Sequence, residues 1–202
     1  MEKVPQTLER PEYAKVTAEQ MKEHVAYFEA HQDEYIEQAA RAREQAISHR
    51  TERPFKVGCV VLLWLPDAAG GGRYKTFEGH NIRPHDIPVE GREKRCAERN
   101  AVETGRSAHP WPTIIGSVSV SHETNVSREV RNIDISKADD ALHLCPDCRI
   151  MVRDLIKQGI LREDSRVVNV NDSKKLENGN PRVVEQRSVQ ELLELYKDDL
   201  PP

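Results

Sequence analysis

The chain has 202 residues, of which 32% are charged and 37% are hydrophobic, and it carries a formal net charge of -4. Its apolar runs, such as residues 60–65, are much shorter than the roughly 20 residues that cross a bilayer, so we expect no membrane association. The acidic balance argues against nucleic acid as a partner, and the glutamate-rich N-terminus without an apolar stretch predicts a cytoplasmic protein.

The N-terminal part of the chain has the hydrophobic spacing of two helices. Thr17 and Gln20 have the spacing of a capping box at the start of the first helix, and Asp33 is predicted to cap the second. We interpret residues 1–30 as an N-terminal helical arm and residues 31–202 as the catalytic domain.

After residue 54, β-branched and apolar runs alternate with helical patterns. In chain order they predict a hairpin over 55–65 and 73–77, a helix over 93–103 that Gly105 ends, a strand over 113–121, a polar insertion over 122–141, a helix over 146–158 with Gly159 just past its end, strands over 166–171 and 182–186, and a helix over 189–196. Strands that alternate with helices predict a layered α/β domain.

Two cysteine motifs stand at the predicted starts of two helices, Cys96-Ala-Glu98 and Cys145-Pro-Asp-Cys148. A helix N-terminus carries unpaired N–H groups and partial positive charge, which favour the thiolate form of a cysteine. Two such ends facing one another would gather Cys96, Cys145 and Cys148 around one zinc ion. Three protein ligands leave the fourth position for water, which is the arrangement of a catalytic rather than a structural zinc.

Glu98 follows Cys96 by two residues, so it projects from the same helix end and can reach the water without being required as a ligand. Zinc deaminases use this arrangement, with a non-ligand glutamate as general acid and base. Three thiolates would make the zinc a weaker Lewis acid, and Arg99 and Arg149, each directly after a motif, are candidates for drawing charge from the sulfurs. The alternative is that both arginines are solvated helix side chains.

The Cys-Ala-Glu-Arg segment at residues 96–99 and the Cys-x-x-Cys-Arg segment at residues 145–149 resemble the cytidine deaminase family, including its blasticidin deaminase relatives. Residues 55–58, 79–81 and 188–193 are also similar to segments of that family. The resemblance extends over roughly residues 35–195.

The resemblance implies a three-layer α/β/α, cytidine-deaminase-like fold with a five-stranded mixed sheet, one zinc per chain, and a homotetramer, or a homodimer, whose active sites borrow residues from neighbours. It assigns substrate contacts to Phe55, Asn81 and Ala97. Where the family has Asn-x-Glu for the ribose, this chain has Asn81-x-Arg83, and Arg83 with His85 would admit a phosphate or carboxylate on the substrate. The alternative for these two residues is a solvent-facing loop.

We therefore expect a zinc-dependent hydrolase that deaminates cytidine, deoxycytidine or a related modified cytosine nucleoside or nucleotide. Two alternatives stay open. One is a zinc deaminase of a purine or natural-product aminoheterocycle, and the other is a non-catalytic binding protein whose zinc is closed by a fourth protein ligand. Cys59 lies inside an apolar strand run and is expected to be a small buried side chain.

Overall fold

The computed structural model describes residues 9–46, 56–82, 96–121, 146–175 and 181–195. After a short 3-10 helix at Glu12–Ala14, the elements in chain order are α1 (Ala18–Ala30), α2 (Gln32–Glu44), β1 (Val57–Pro66), β2 (Gly72–His80), α3 (Ala97–Arg106), β3 (Thr113–Ser121), α4 (Pro146–Lys157), β4 (Leu161–Lys175), β5 (Pro181–Ser188) and α5 (Val189–Leu195). None of the helices in these ranges is long and apolar enough to cross a membrane. The insertion predicted over 122–141 lies outside the described residues.

Within the described ranges, five strands form one sheet in the order β2-β1-β3-β4-β5. β3 and β4 pair in parallel, and the other neighbouring strands pair antiparallel. β1 is buried along almost its whole length, as expected for an inner strand with helices on both faces. The predicted α/β class with a five-stranded mixed sheet is therefore confirmed.

Alternate residues of β1 point to opposite faces of the sheet. Cys59, Val61 and Leu63 belong to a core cluster with α3, α4 and α5. Val60 and Leu62 belong to a second cluster with α1 and α2. The sheet therefore lies between two layers of helices.

The first two helices cover one face of the sheet. The Thr17 hydroxyl accepts from the Gln20 N–H, and the Gln20 side chain accepts from the Thr17 N–H, so the predicted capping box is confirmed. α2 begins directly after His31 without a side-chain cap, and the expectation that Asp33 caps it is wrong. One residue separates the two helices, so Asp33 already lies within the first turn of α2. Phe28, inside the predicted arm, is buried in the same core cluster as the sheet.

α3 runs further than the sequence predicts, because Gly105 lies inside it and the helix ends at Arg106. A Cβ at Gly105 would lie 2.7 Å from Cδ1 of Leu63. This glycine therefore permits close packing of the helix on the sheet, and the predicted helix stop there is wrong. At the end of α4 the prediction is confirmed, since Gly159 follows the helix with a φ of 66°.

One end of the sheet, here called the site end, brings together the starts of two helices. β1 begins there and β3 ends there, because Val57 pairs with Ser121. α3 begins on top of the last residues of β2, since a Cβ at Gly79 would lie 2.3 Å from the carbonyl oxygen of Ala97. α4 begins beside α3, with Cys148 in its first turn.

Candidate metal centre

Three side chains that can bind a metal meet at the site end. Sγ of Cys96, Sγ of Cys148 and a carboxylate oxygen of Glu98 lie within 4.8 Å of one another. Cys96 is the N-cap of α3, Glu98 is the second residue of that helix, and Cys148 is the third residue of α4. The N–H groups and dipoles of the two helix starts favour anionic side chains at this position.

The spacing of the two thiols fits a zinc ion. Zn–S bonds of about 2.3 Å at tetrahedral angles place two sulfurs about 3.8 Å apart. The sulfurs of Cys96 and Cys148 are at most 4.8 Å apart, so a side-chain movement of about 1 Å or less would bring them to that spacing. Cys145, the predicted third ligand, lies outside the described residues, three positions before Cys148. The Cys96, Glu98 and Cys148 group could therefore hold a metal ion.

Ser119 contacts this group, and the sequence analysis does not single it out. Its hydroxyl donates to Oε1 of Glu98 at 3.3 Å, and the residue is 2% exposed. A signal is present in the sequence, since Ser117, Ser119 and Ser121 alternate along β3 and so share one face of the strand. A row of hydroxyls with a period of two, in an otherwise apolar strand, indicates a polar surface there.

The neighbouring strand β4 continues this polar surface. Asn169 pairs in register with Ser119, and Asn171 pairs with Ser121. All four residues are buried, and we call them the polar floor of the site. In the sequence these asparagines alternate with valines with the same period of two. This alternation predicts that the asparagines share one face of β4.

Cys59 is fully buried, as the sequence predicts, and it pairs in register with Ser119. Burial, and secondarily the nearby Glu98 carboxylate, raise the pKa of the Cys59 thiol. The thiol is therefore neutral at physiological pH. Cys59 does not belong to the metal-binding group found among the described residues.

The two arginines that follow the motifs have different surroundings. Nε of Arg99 donates to Glu103 at 3.0 Å on an exposed part of α3. Arg149 is 4% exposed. Arg149 is therefore buried directly after Cys148 in the chain, whereas Arg99 forms its ion pair on the exposed part of α3.

Asn81 lies buried just beyond the end of β2. Its Oδ1 accepts from the Val57 N–H at 2.7 Å, and its own N–H donates to the Val57 carbonyl at 3.1 Å, so it ties the start of β1 to the end of β2. Ala97 is fully buried at the start of α3. The remaining residues of the predicted substrate site lie outside the described residues: Phe55, Arg83 and His85.

No protein-family model matches the sequence, and no curated protein is significantly similar to it. The assignment of the site therefore depends on the geometry of Cys96, Glu98 and Cys148 and on the motif resemblance.

Proposed function

We propose that this chain is a zinc-dependent hydrolytic deaminase of cytidine, deoxycytidine, or a modified cytosine nucleoside or nucleotide. The observation that carries the proposal is the meeting of Cys96, Cys148 and Glu98 at two helix N-termini. This grouping supports the proposal because hydrolytic deamination needs metal ligands beside a proton carrier. The mixed sheet between two helix layers is compatible with a cytidine-deaminase-like fold.

Cys96 and Cys148 would hold the zinc together with Cys145. Thiolates are ligands that zinc prefers, and the two helix starts favour them in the charged form. A zinc ion held there would supply a water that is activated for attack at neutral pH. Because the ligands come from two separate helices, the starts of both α3 and α4 are needed for metal binding.

Glu98 would carry the protons of the reaction. It takes a proton from the attacking water, passes it to the ring nitrogen of the cytosine, and helps to protonate the amino group that leaves as ammonia. Its place in the first turn of α3 stabilises the carboxylate before the transfer, since the helix dipole favours negative charge there. Water supplies the new carbonyl oxygen, and no oxidant or reductant is required.

Substrate recognition would involve the end of β2 and the residues that follow it. Asn81 would contact the sugar from the end of β2, where its Oδ1 also accepts from the Val57 N–H. Arg83 stands where the family has a glutamate for the ribose, and a guanidinium pairs well with phosphate or carboxylate. We therefore place cytidine monophosphates beside cytidine among the candidate substrates. A homotetramer, or a homodimer, would add residues of neighbouring chains.

Ammonia release from a substrate panel tests the proposal. The zinc-loaded protein is incubated with cytidine, deoxycytidine, their monophosphates, adenosine and guanosine, and the cytosine compounds should release ammonia. Glu98→Gln should keep its zinc and lose at least about 10²-fold in turnover, because glutamine cannot carry a proton. The matched control is Glu103→Gln, on the same helix but paired with Arg99, which should keep normal turnover.

Two outcomes would contradict this proposal in different ways. Loss of zinc from Glu98→Gln would make Glu98 a metal ligand and would favour a closed, structural site. Failure of the fully zinc-loaded protein to release ammonia from any cytosine compound would exclude the proposed reaction.

A further inference from the structure

The carboxylate of Glu98 is held by a residue of an inner strand. Ser119 donates its hydroxyl to Oε1 of Glu98, and Ser119 itself is almost completely buried. β3 is paired with β1 on one side and with β4 on the other, and Ser119 has a register partner on each, Cys59 and Asn169. The donor is therefore anchored by backbone ladders on both sides, in a part of the fold that opens least readily.

The direction of this hydrogen bond follows from the two groups that make it. A serine hydroxyl has a single proton to donate, and an ionised carboxylate can only accept. The thiol of Cys59, the register partner of Ser119 on β1, donates to the Val60 carbonyl at 3.8 Å. Ser119 therefore donates to Glu98.

We propose that Ser119 is a positioning residue that fixes the Glu98 carboxylate in the orientation needed for proton transfer. The proposal rests on the deaminase function proposed above. A glutamate on the surface of a helix start can occupy several rotamers, whereas proton transfer requires a heavy-atom distance of about 2.6–3.2 Å. Without the Ser119 hydroxyl, fewer molecules would have Glu98 in the productive orientation. The contacts that bind substrate and metal would not change.

The test compares four zinc-loaded proteins: wild type, Ser119→Ala, Ser119→Thr and Ser117→Ala. Ser119→Ala should lower kcat by about tenfold to a hundredfold, with little change in KM and with full zinc content. Ser119→Thr should restore kcat, because it keeps the hydroxyl and its methyl group can enter a cavity of about 40 Å³ that Ser119 lines, enough space for a group the size of one water.

Ser117→Ala is the matched control for loss of a hydroxyl from the same face of β3. Ser117 makes no hydrogen bond to Glu98 in the part of the chain that the structure describes. Its removal should leave kcat at the wild-type value. Thermal unfolding of all four proteins shows whether any loss of activity comes from loss of the fold.

Several results would overturn the role of Ser119. They are a wild-type kcat in Ser119→Ala, an equal loss in Ser117→Ala, or no recovery in a folded Ser119→Thr. If the wild-type protein releases no ammonia, the proposed function fails separately, and crystal structures then test the Ser119 contact. One Glu98 conformer in wild type and several in Ser119→Ala would support the contact, and the same single conformer in both would exclude it.

Discussion

Replacing Gly79 by alanine should disable the candidate site without altering any residue in it. The new Cβ would lie 2.3 Å from the carbonyl oxygen of Ala97 and 2.4 Å from the backbone nitrogen of Ala101, whereas ordinary contacts begin at 3.4 Å. α3 must therefore move away from β2 by about 1 Å. Because α3 positions both Cys96 and Glu98, and a misplacement of about 1 Å can cost 10²-fold, turnover should fall by about that factor.

Gly58→Ala is the matched control, since its Cβ would lie 1.9 Å from the carbonyl oxygen of Ala39 on α2, on the other face of the sheet. Both substitutions overpack the fold, which typically costs about 1–3 kcal/mol, and Tm should fall by about 2–4 °C per kcal/mol. Zinc per chain and turnover are measured at a temperature at which both variants are folded. Only Gly79→Ala should lose more zinc and turnover than its loss of stability accounts for. Equal losses in the two variants, or a wild-type Tm and zinc content in Gly79→Ala, would refute the reasoning.

Cys148→Ala should lose its zinc and Cys59→Ala should keep it, because only Cys148 belongs to the metal-binding group. Metal analysis that shows equal zinc retention in the two variants would contradict the ligand assignment. Burial lowers the pKa of His24. The unfolded chain therefore binds a proton first as pH falls, and stability should drop as pH falls below about 6.5 toward the lower folded-state pKa. His24→Gln should flatten that part of the dependence of Tm on pH, and an unchanged dependence would exclude His24 as its source. Arg10→Ala should cost about 2–3 kcal/mol in urea unfolding, because its guanidinium bridges the carbonyls of Ala14, Trp111, Pro112 and Gly159 and the Thr113 hydroxyl. Its control, Lys15→Ala, removes only an exposed ion pair with Glu12 and should cost about 0.5 kcal/mol or less, and equal costs would contradict a special role for Arg10.

Features of the fold that depend on near neighbours could be predicted from the sequence. The Thr17 capping box and the glycine after α4 involve residues within one turn, and the strands have a regular period. The role of Gly105 could not be predicted in this way. Its role is set by the approach of Leu63, a residue more than forty positions away, and only the packed structure contains that information.

The candidate site also has some features that the sequence predicts and one that it does not. Cys96 and Glu98 share one helix start, and Cys148 has a recognisable motif of its own. The spacing of residues within these two motifs predicts a common site, and the structure brings the three side chains together. The contact between Ser119 and Glu98 joins residues on different elements, 21 positions apart. It depends on the register of β3 against β1, where a slip of one residue would turn Ser119 to the opposite face. The serine alternation is visible in the sequence, but this register is not.

β2 is the outermost strand at one end of the sheet within the described residues, and Arg73, Lys75 and Glu78 on it are exposed. The outer edge of such a strand carries backbone groups that can pair with another chain, and charged side chains oppose that pairing because they would have to be desolvated. The β1–β2 hairpin precedes β3 and β4 in the chain, so synthesis produces it first. The charges on β2 therefore oppose pairing of its outer edge with another chain, both in the folded protein and before β3 and β4 have been made.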